Sequence, residues 1–371
     1  MKNNPWQLKA FLLTIMAAVV ACQTVMGFPD ADMPEASFPE SEPQPFDPPQ
    51  NDPSPPPAEE QVEYCLEGES YHSDEGLCYR SDGSATPQFI ALMEGLSEYY
   101  DDDEDLLDEE VVLVTYSIGG DEIYAPVYSD VSSDLEAYQD DTETHDFVWD
   151  YYSSMIPADA RSMLTHFVIM TDGLGGNLAA VEQSPDNPEL WMLSVDIADT
   201  DDLLDLTFTL IHEYGHLLSL GADQLDIDEY LFYNPDDDDA YYDAEDSCPT
   251  YFPGEGCTKS SAYLYQFYLE FWGDIFDEWS EIQYIEDDDD YYEALDNFYF
   301  DYEDEFLTDY AVTNPEEDIA ESWAFFIIKA KPAGNTIAEE KILFFYQFPE
   351  LVALRDEIIV RTYSRLIRIQ K

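Results

Sequence analysis

Short apolar runs mark the first half of the chain, and helical patterns mark the second half. Val111–Ile118 has the pattern of a buried strand, and His166–Thr171 has the same pattern. Leu178–Gln183 and Trp191–Ile197 are two further predicted strands, separated by a turn-rich segment. The pattern that follows is mostly helical as far as the C-terminus. Strands that precede helices predict an α+β fold, with a small mixed sheet in front of a mostly helical C-terminal half.

The first long helix after the strands is predicted over Asp201–Leu220. Asp199 or Thr200 is placed to cap its N-terminus, and Gly221 follows its end. Apolar residues recur along it at steps of three and four residues, which predicts one buried face: Leu203, Leu206, Leu210, Tyr214 and Leu217.

This helix carries two of the five histidines of the chain. His212 and His216 are four residues apart, so both imidazoles project from one face and can bind a single metal ion. Glu213 lies beside them and can act as a general base on a metal-bound water. The pattern H-E-x-x-H therefore predicts a catalytic zinc site rather than two structural histidines.

A catalytic zinc ion needs a third protein ligand. The extended motif H-E-x-x-H-x-x-G-x-x-H does not continue here, because Ser219 and Ala222 occupy the Gly and His positions. No histidine follows His216, and we interpret the three upstream histidines as structural or incidental: His72, His145 and His166. A carboxylate is therefore the expected third ligand.

The best candidate carboxylate lies in a second predicted helix. Asn314 is placed to cap this helix and Pro315 occupies its first position. Glu317 and Glu321 follow one turn apart on one face, so Glu317 can bind zinc while Glu321 accepts a hydrogen bond from a ligand imidazole. In the alternative interpretation, Glu317 only caps its own helix, because Asn314 to Glu317 is also the spacing of a capping box.

The HEYGH motif at His212–His216, together with the segment EDIAESW that contains Glu317 and Glu321, resembles the gluzincin metallopeptidases. A tyrosine seven residues before the first glutamate makes the segment similar to the catalytic domain of the anthrax lethal factor type. The resemblance implies a zincin-like fold, zinc bound by His212, His216 and Glu317, and a peptide or protein substrate. It also implies that Glu213 is the general base, that Tyr310 stabilises the oxyanion and that Glu321 supports a ligand. The long interval 217–316 departs from the family pattern.

These observations predict a zinc-dependent endopeptidase. One alternative is a binding or adhesion protein that keeps the zincin fold without turnover, although such a protein would not need Glu213. A second alternative is a zinc hydrolase of a non-peptide amide, which differs only in the shape of its pocket.

The net charge changes the expected partners. The chain has 84 acidic and 13 basic residues, for a formal charge of −71. Such a charge argues against binding to nucleic acid or to anionic membrane surfaces. The acidic runs that begin at Asp101, Asp236 and Asp287 favour a solvated surface in a salty medium, and calcium binding is the alternative. The single basic region, Arg355–Lys371, predicts a final helix packed on the acidic body rather than on a membrane.

The N-terminus has the features of an export signal. Residues 1–21 combine two lysines with a short apolar run, and Val19–Cys22 resembles the lipobox of bacterial lipoproteins, in which Cys22 is acylated. The alternative is ordinary cleavage nearby, with Cys22 lost or incidental. Residues 22–61 form a linker whose part Phe28–Glu60 holds eleven of the 23 prolines and can extend on the order of 100 Å. We expect an exported protein at the cell surface, the outer membrane, the periplasm or outside the cell, bound to a membrane only through this anchor.

Four of the five cysteines remain once Cys22 is set aside. They form two close pairs, Cys65 with Cys78 and Cys248 with Cys257, which predicts two local disulfides in an exported protein. Zinc binding by a pair is the alternative, but neither pair has CxxC spacing. The catalytic domain is predicted over 62–371, and its N-terminal segment 62–87 is closed by the first disulfide.

Overall fold

The structure is a computed structural model that describes residues 69–72, 77–80, 85–96, 107, 110–174, 176–285 and 287–369. The predicted signal peptide, the lipid-attachment site at Cys22, the proline-rich linker and Cys65 lie outside these residues. No helix among the described residues has both the length and the apolar character needed to span a membrane.

The described residues include nine short strands in three sheets. Their bounds are β1 Glu69–His72, β2 Leu77–Arg80, β3 Val111–Gly119, β4 Glu122–Tyr128, β5 Leu164–Thr171, β6 Ala179–Ser184, β7 Asn187–Asp196, β8 Leu225–Ile227 and β9 Gly256–Thr258. The central sheet has the order β4-β3-β5-β7-β6, while β1–β2 and β8–β9 form small hairpins. Among the described strands of the central sheet, β5 and β7 are parallel and the other neighbours are antiparallel, so the sheet is mixed. All four strands predicted from apolar runs are confirmed.

Helices follow the sheet along most of the remaining chain. The α-helices are α1 Ala85–Met93, α2 Glu136–Asp140, α3 Thr142–Met155, α4 Leu203–Leu220, α5 Glu229–Tyr233, α6 Asp238–Ser247, α7 Tyr263–Phe267, α8 Phe276–Ile282, α9 Asp288–Asp301, α10 Pro315–Ile328, α11 Ile337–Phe344 and α12 Pro349–Ile369. A single π-helical turn, Tyr268–Trp272, continues α7. The α+β class predicted from the order of strands and helices is confirmed.

One hydrophobic core joins the sheet to the helices. It contains Phe167 and Leu193 from the sheet, Leu210 from α4 and Trp323 from α10, all at most 2% exposed. Helix α10 packs along α4, and α4 also contacts β6 at the edge of the central sheet. This packing brings the two helices with the predicted zinc ligands side by side.

The basic helix α12 packs on the body of the protein, as predicted. It contacts α1, α3 and β2. Its arginines contact acidic side chains, a tyrosine hydroxyl or carbonyl groups: Arg355 with the carbonyls of Phe326 and Lys329, Arg361 with Glu357 and Tyr79, Arg365 with Asp150, and Arg368 with Glu69 and the Cys78 carbonyl. The basic side chains that the sequence placed on one helix therefore face this protein's own groups.

His145 is a structural histidine, as predicted. Its ring is fully buried on α3, where Nε2–H donates to the Tyr138 carbonyl at 2.9 Å and Nδ1 accepts from the Tyr116 hydroxyl at 3.0 Å. Both nitrogens are satisfied in the neutral ring, and burial lowers the pKa of His145 below its ordinary value despite the Tyr138 carbonyl. His166 lies on β5 with Nδ1 3.0 Å from the Thr165 hydroxyl, and the side chain of His72 lies outside the described part of the chain.

Two acidic runs form the N-terminal ends of helices. Asp237 caps α6 by accepting the amide of Ala240, and Asp287 caps α9 by accepting the amide of Asp290. Carboxylates at these positions interact favourably with the helix dipole. The run at Asp101 lies outside the described residues, and calcium binding by the acidic runs stays a prediction.

Candidate metal centre

Helix α4 presents the H-E-x-x-H motif inside the protein. The helix begins at Leu203 and is capped by Asp202, whose carboxylate accepts the amides of Leu204 and Asp205. The predicted caps, Asp199 and Thr200, were wrong: the helix starts two residues later than expected, and Asp202 then occupies the capping position. His212, Glu213 and His216 are 6%, 6% and 9% exposed, so the motif lies at the boundary between the core and the solvent.

A glycine inside the motif allows α10 to approach α4 closely. A Cβ atom on Gly215 would lie 2.9 Å from the Cα of Ala320 and 3.2 Å from its Cβ. Real side chains do not accept such distances without movement, so only glycine permits this contact. The small residue on each helix therefore sets the separation of α4 and α10 at the level of the motif.

The start of α10 has the predicted form. The Asn314 side chain accepts the Glu317 amide at 2.7 Å, and Pro315 occupies the first turn. The Glu317 carboxylate points towards α4, where it lies 3.1 Å from His212 Nε2 and 3.3 Å from His216 Nε2. The capping-box alternative therefore does not describe the position of this side chain.

Three potential ligand atoms converge at this point. The two imidazole Nε2 atoms are 3.1 Å apart, and the Glu317 Oε2 atom lies 3.1 Å and 3.3 Å from them. Bonds of about 2.0–2.1 Å in a tetrahedral zinc site hold neighbouring ligand atoms roughly 3.3 Å apart. The three distances therefore fit one face of a zinc coordination tetrahedron. These residues form one of two groups in the described chain that have the spacing to hold a metal ion.

Glu321 orients the imidazole of His212. Its Oε1 atom lies 2.9 Å from His212 Nδ1, and its Oε2 atom accepts the Thr308 hydroxyl at 2.8 Å. The Glu321 carboxylate accepts the proton on Nδ1, so in the neutral ring Nε2 is the nitrogen atom that is available to a metal ion. Sequence reasoning did not identify Thr308, which precedes α10 in a segment without regular periodicity.

The electrostatics couple the three ligand candidates. Burial lowers the pKa of His212, but its hydrogen bonds with Glu317 and Glu321 outweigh burial and leave the pKa well above its ordinary value. Burial raises the pKa of Glu317, but the charges and hydrogen bonds of His216 and His212 hold it far below the usual range. Glu317 is therefore ionised, as a metal ligand has to be.

Glu213 and Tyr310 lie beside the three ligand candidates. Burial raises the pKa of Glu213 to about 7, against the lowering effect of His216, His212 and the Val181 amide. That amide belongs to β6, an edge strand that pairs only with β7 among the described residues. Tyr310 is 44% exposed, and its ring centre lies 6.0 Å from that of His212. The structure thus brings all six site residues predicted on α4, on α10 and before α10 to one place: His212, Glu213, His216, Tyr310, Glu317 and Glu321.

No known protein family, curated protein or solved structure matches this chain. The assignment of a function therefore depends on the geometry and chemistry of the site itself.

The second group with metal-binding spacing consists of Asp172, Asp196 and Asp199. It lies at the C-terminal ends of β5 and β7, which run parallel and therefore end at the same edge of the sheet. Asp196 accepts the amides of Asp172 and Ala198, and burial raises its pKa to about 7. The sequence did not identify this group, because Asp172 is 24 residues from Asp196 in the chain.

The Cys248–Cys257 disulfide is present, with the Cα atoms 5.5 Å apart. It joins the end of α6 to β9, and β9 pairs with β8 directly after α4. The second predicted bond involves Cys65, which lies outside the described residues.

Proposed function

We propose that this chain is an exported zinc-dependent endopeptidase with a zincin-like fold. The observation that carries the proposal is the convergence of His212 Nε2, His216 Nε2 and Glu317 Oε2 within 3.3 Å of one another. Two imidazoles and one carboxylate are the ligand set of many catalytic zinc sites, in which a fourth position stays open for water or substrate. Zinc bound there would polarise a scissile carbonyl group and lower the pKa of water.

The residues around the ligands have distinct roles in this proposal. His212, His216 and Glu317 hold the metal, and Glu321 fixes the tautomer of His212. Glu213 accepts a proton from the attacking water and transfers it to the leaving amine. The Tyr310 hydroxyl donates a hydrogen bond to the oxygen atom that gains negative charge.

The edge strand β6 favours a peptide substrate over a small amide. Its Val181 amide lies near Glu213, so the hydrogen-bonding edge of the sheet runs beside the proposed catalytic base. An extended peptide can pair with such an edge through its backbone. The alternative of a binding protein without turnover gives no role to Glu213, a carboxylate that is buried at the site yet is not one of the three ligand candidates.

The test is zinc content and hydrolysis of a peptide library by the full chain and three variants. We expect Glu213→Gln to bind one zinc ion and to lose hydrolysis, and Glu317→Ala to lose zinc. Glu339→Ala is the matched control, because Glu339 has the same position in α11 that Glu317 has in α10 and its carboxylate accepts only the nearby Asn335. We expect this control to keep both zinc and activity.

Two results would contradict the proposal in different ways. Zinc bound by the wild type without hydrolysis of any peptide would favour the binding-protein alternative. Zinc retained by Glu317→Ala would show that another carboxylate is the third ligand.

We also propose that the protein is exported and attached to a membrane through an acylated Cys22. The support is the sequence of residues 1–22 and the proline-rich linker, which would hold the enzyme away from the lipid surface. The intact mass of the mature N-terminus tests this proposal, with Cys22→Ser as the comparison. A mature chain that begins beyond Cys22, or one without added lipid mass, would overturn it.

A further inference from the structure

A lysine is completely buried behind the candidate metal centre. Lys341 lies on α11, and its Nζ atom is 2.6 Å from Asp318 Oδ2, with both side chains 0% exposed. The same Nζ atom lies 3.9 Å from the ring centre of Phe306, and the rings of Phe267 and Phe271 are 6.0 Å away. The lysine therefore occupies a pocket formed by one carboxylate and three aromatic rings.

Asp318 is part of the helix that carries the ligands. It directly follows Glu317 and lies three residues before Glu321 on α10. Its Oδ2 atom also accepts the Trp272 indole N–H at 2.8 Å. Trp272 ends the π-helical turn Tyr268–Trp272, an irregular helix form that is often found near functional sites. An ion pair with Lys341 and a hydrogen bond from Trp272 thus hold α10 at the residue after Glu317.

Phe306 begins the Tyr310 segment, which is defined here as Phe306–Val312. Within this segment Thr308 donates to Glu321 Oε2 at 2.8 Å, and the Val312 carbonyl accepts the Trp279 indole N–H at 3.0 Å. Contact with the ring of Phe306 connects Lys341 to the start of this segment. Lys341 therefore contacts both parts of the structure that the proposed reaction needs, namely the ligand helix and the Tyr310 segment.

We propose that Lys341 is a positioning residue that fixes α10 relative to the Tyr310 segment through Asp318 and Phe306. The proposal rests on the proposed peptidase function, since positioning acts through Glu317, Glu321 and Tyr310. A buried ion pair is costly to desolvate and adds little net stability compared with apolar side chains of the same volume. The contacts of Lys341 with Asp318 and Phe306, however, favour one arrangement of α10 relative to the Tyr310 segment. Small displacements at a catalytic site reduce the rate strongly.

The test removes both charges together. In the double variant Lys341→Met/Asp318→Asn, the asparagine can still accept the Trp272 indole N–H, and no unpaired charge is left in the core. Arg355→Met is the matched control, because Arg355 is another buried cation that contacts α10, through the carbonyls of Phe326 and Lys329 at the opposite end of the helix. The readouts are the thermal midpoint, kcat and KM on a peptide, and the absorption spectrum and dissociation constant of bound Co²⁺.

We expect the double variant to lose kcat about tenfold with KM changed less than about twofold, and to show an altered Co²⁺ spectrum. Arg355→Met should keep kcat and the spectrum even where it loses as much thermal stability. Phe306→Leu, which keeps the ion pair, serves if the double variant does not fold, and it should change kcat and the spectrum in the same direction.

The positioning role would be overturned if the double variant and Arg355→Met changed kcat and the Co²⁺ spectrum equally at equal thermal stability. An unchanged kcat and an unchanged spectrum in the double variant would also overturn it. A wild type that binds Co²⁺ but cleaves no peptide would overturn the peptidase proposal. The Co²⁺ spectra of the wild type and the double variant would then still test whether Lys341 positions the ligand helix. A wild type without Co²⁺ binding would overturn both proposals.

Discussion

Replacement of Glu321 by glutamine should weaken zinc binding while the shape of the site is preserved. Glu321 is 1% exposed on its side chain, with Oε1 2.9 Å from His212 Nδ1 and Oε2 2.8 Å from the Thr308 hydroxyl. A glutamine can reproduce both contacts, because its oxygen accepts from His212 and its amide group donates to Thr308. The substitution therefore removes the negative charge and little else.

The magnitude follows from the type of hydrogen bond that is lost. A hydrogen bond to a charged group contributes about 1.5–3 kcal/mol, and a neutral one contributes about 0.5–1.5 kcal/mol. The difference of about 1–1.5 kcal/mol corresponds to a dissociation constant for zinc that is roughly tenfold larger. Thr308→Val removes the hydroxyl group that donates to Glu321 and accepts the Ala311 amide. Glu321 keeps its charge and its contact with His212 in this variant, so the effect on zinc binding should have the same direction and be smaller.

The assay is competition for zinc with a chelator of known affinity, performed on the wild type, Glu321→Gln and Thr308→Val. Thermal unfolding of the zinc-free proteins provides the control, since a change that affects only folding would appear there. An unchanged dissociation constant in Glu321→Gln would refute the role of Glu321 in orienting His212. A larger effect from Thr308→Val than from Glu321→Gln would refute the order of magnitudes derived above.

Four further predictions concern separate parts of the molecule. Tyr310→Phe should lower kcat about 10²–10³-fold, as expected for loss of an oxyanion donor, without a change in zinc affinity; unaltered steady-state kinetics would exclude that role. Gly215→Ala should lower the free energy of unfolding by about 1–3 kcal/mol and weaken zinc binding, because the added Cβ would lie 2.9 Å from Ala320 Cα; equal or tighter binding would argue against close helix contact. His145 has a lowered pKa in the folded state, so its contribution to stability is complete above pH 6.5 and is lost as the pH falls towards the folded pKa; His145→Gln should remove this part of the pH dependence in denaturant titrations. Replacement of Cys248 and Cys257 by serine opens a loop whose ends are nine residues apart, which should cost about 2–3 kcal/mol of unfolding free energy and leave zinc binding intact; a loss of zinc would show that the bridge supports the site directly.

Local patterns were sufficient to find the three candidate metal ligands. The i, i+4 spacing of His212 and His216 places both rings on one helix face wherever that helix lies in the fold. Glu317 lies far along the chain from them, yet it could be identified because Asn314 and Pro315 mark a helix start and because no histidine follows His216. These features depend on chemistry that is visible within a few residues, and the structure places all three side chains together.

The supporting residues could not be found in the same way. A lysine is usually solvent-exposed, so nothing in the sequence around Lys341 indicates burial against Asp318. Thr308 lies between helices and becomes relevant only because Glu321 comes within 2.8 Å of it. The capping residue of α4 was misassigned for a related reason, since several acidic or hydroxyl side chains precede that helix and the packing of the helix selects Asp202.

Two different constraints are needed to bring the three candidate ligand atoms, which lie on two helices, within 3.3 Å of one another. The contact between Gly215 and Ala320 determines how closely α4 and α10 approach, but small residues in contact can slide along each other. The buried contacts of Asp318 with Lys341 and Trp272 determine how far α10 can shift along its axis or rotate about it. A shift of one residue would rotate Glu317 by about 100° around the helix and carry it away from both imidazoles. If α4 and α10 approached closely but α10 could shift along its axis, Glu317 would no longer lie beside the two histidines. For this reason we assign Asp318, Lys341 and Trp272 to the site as well as to the fold.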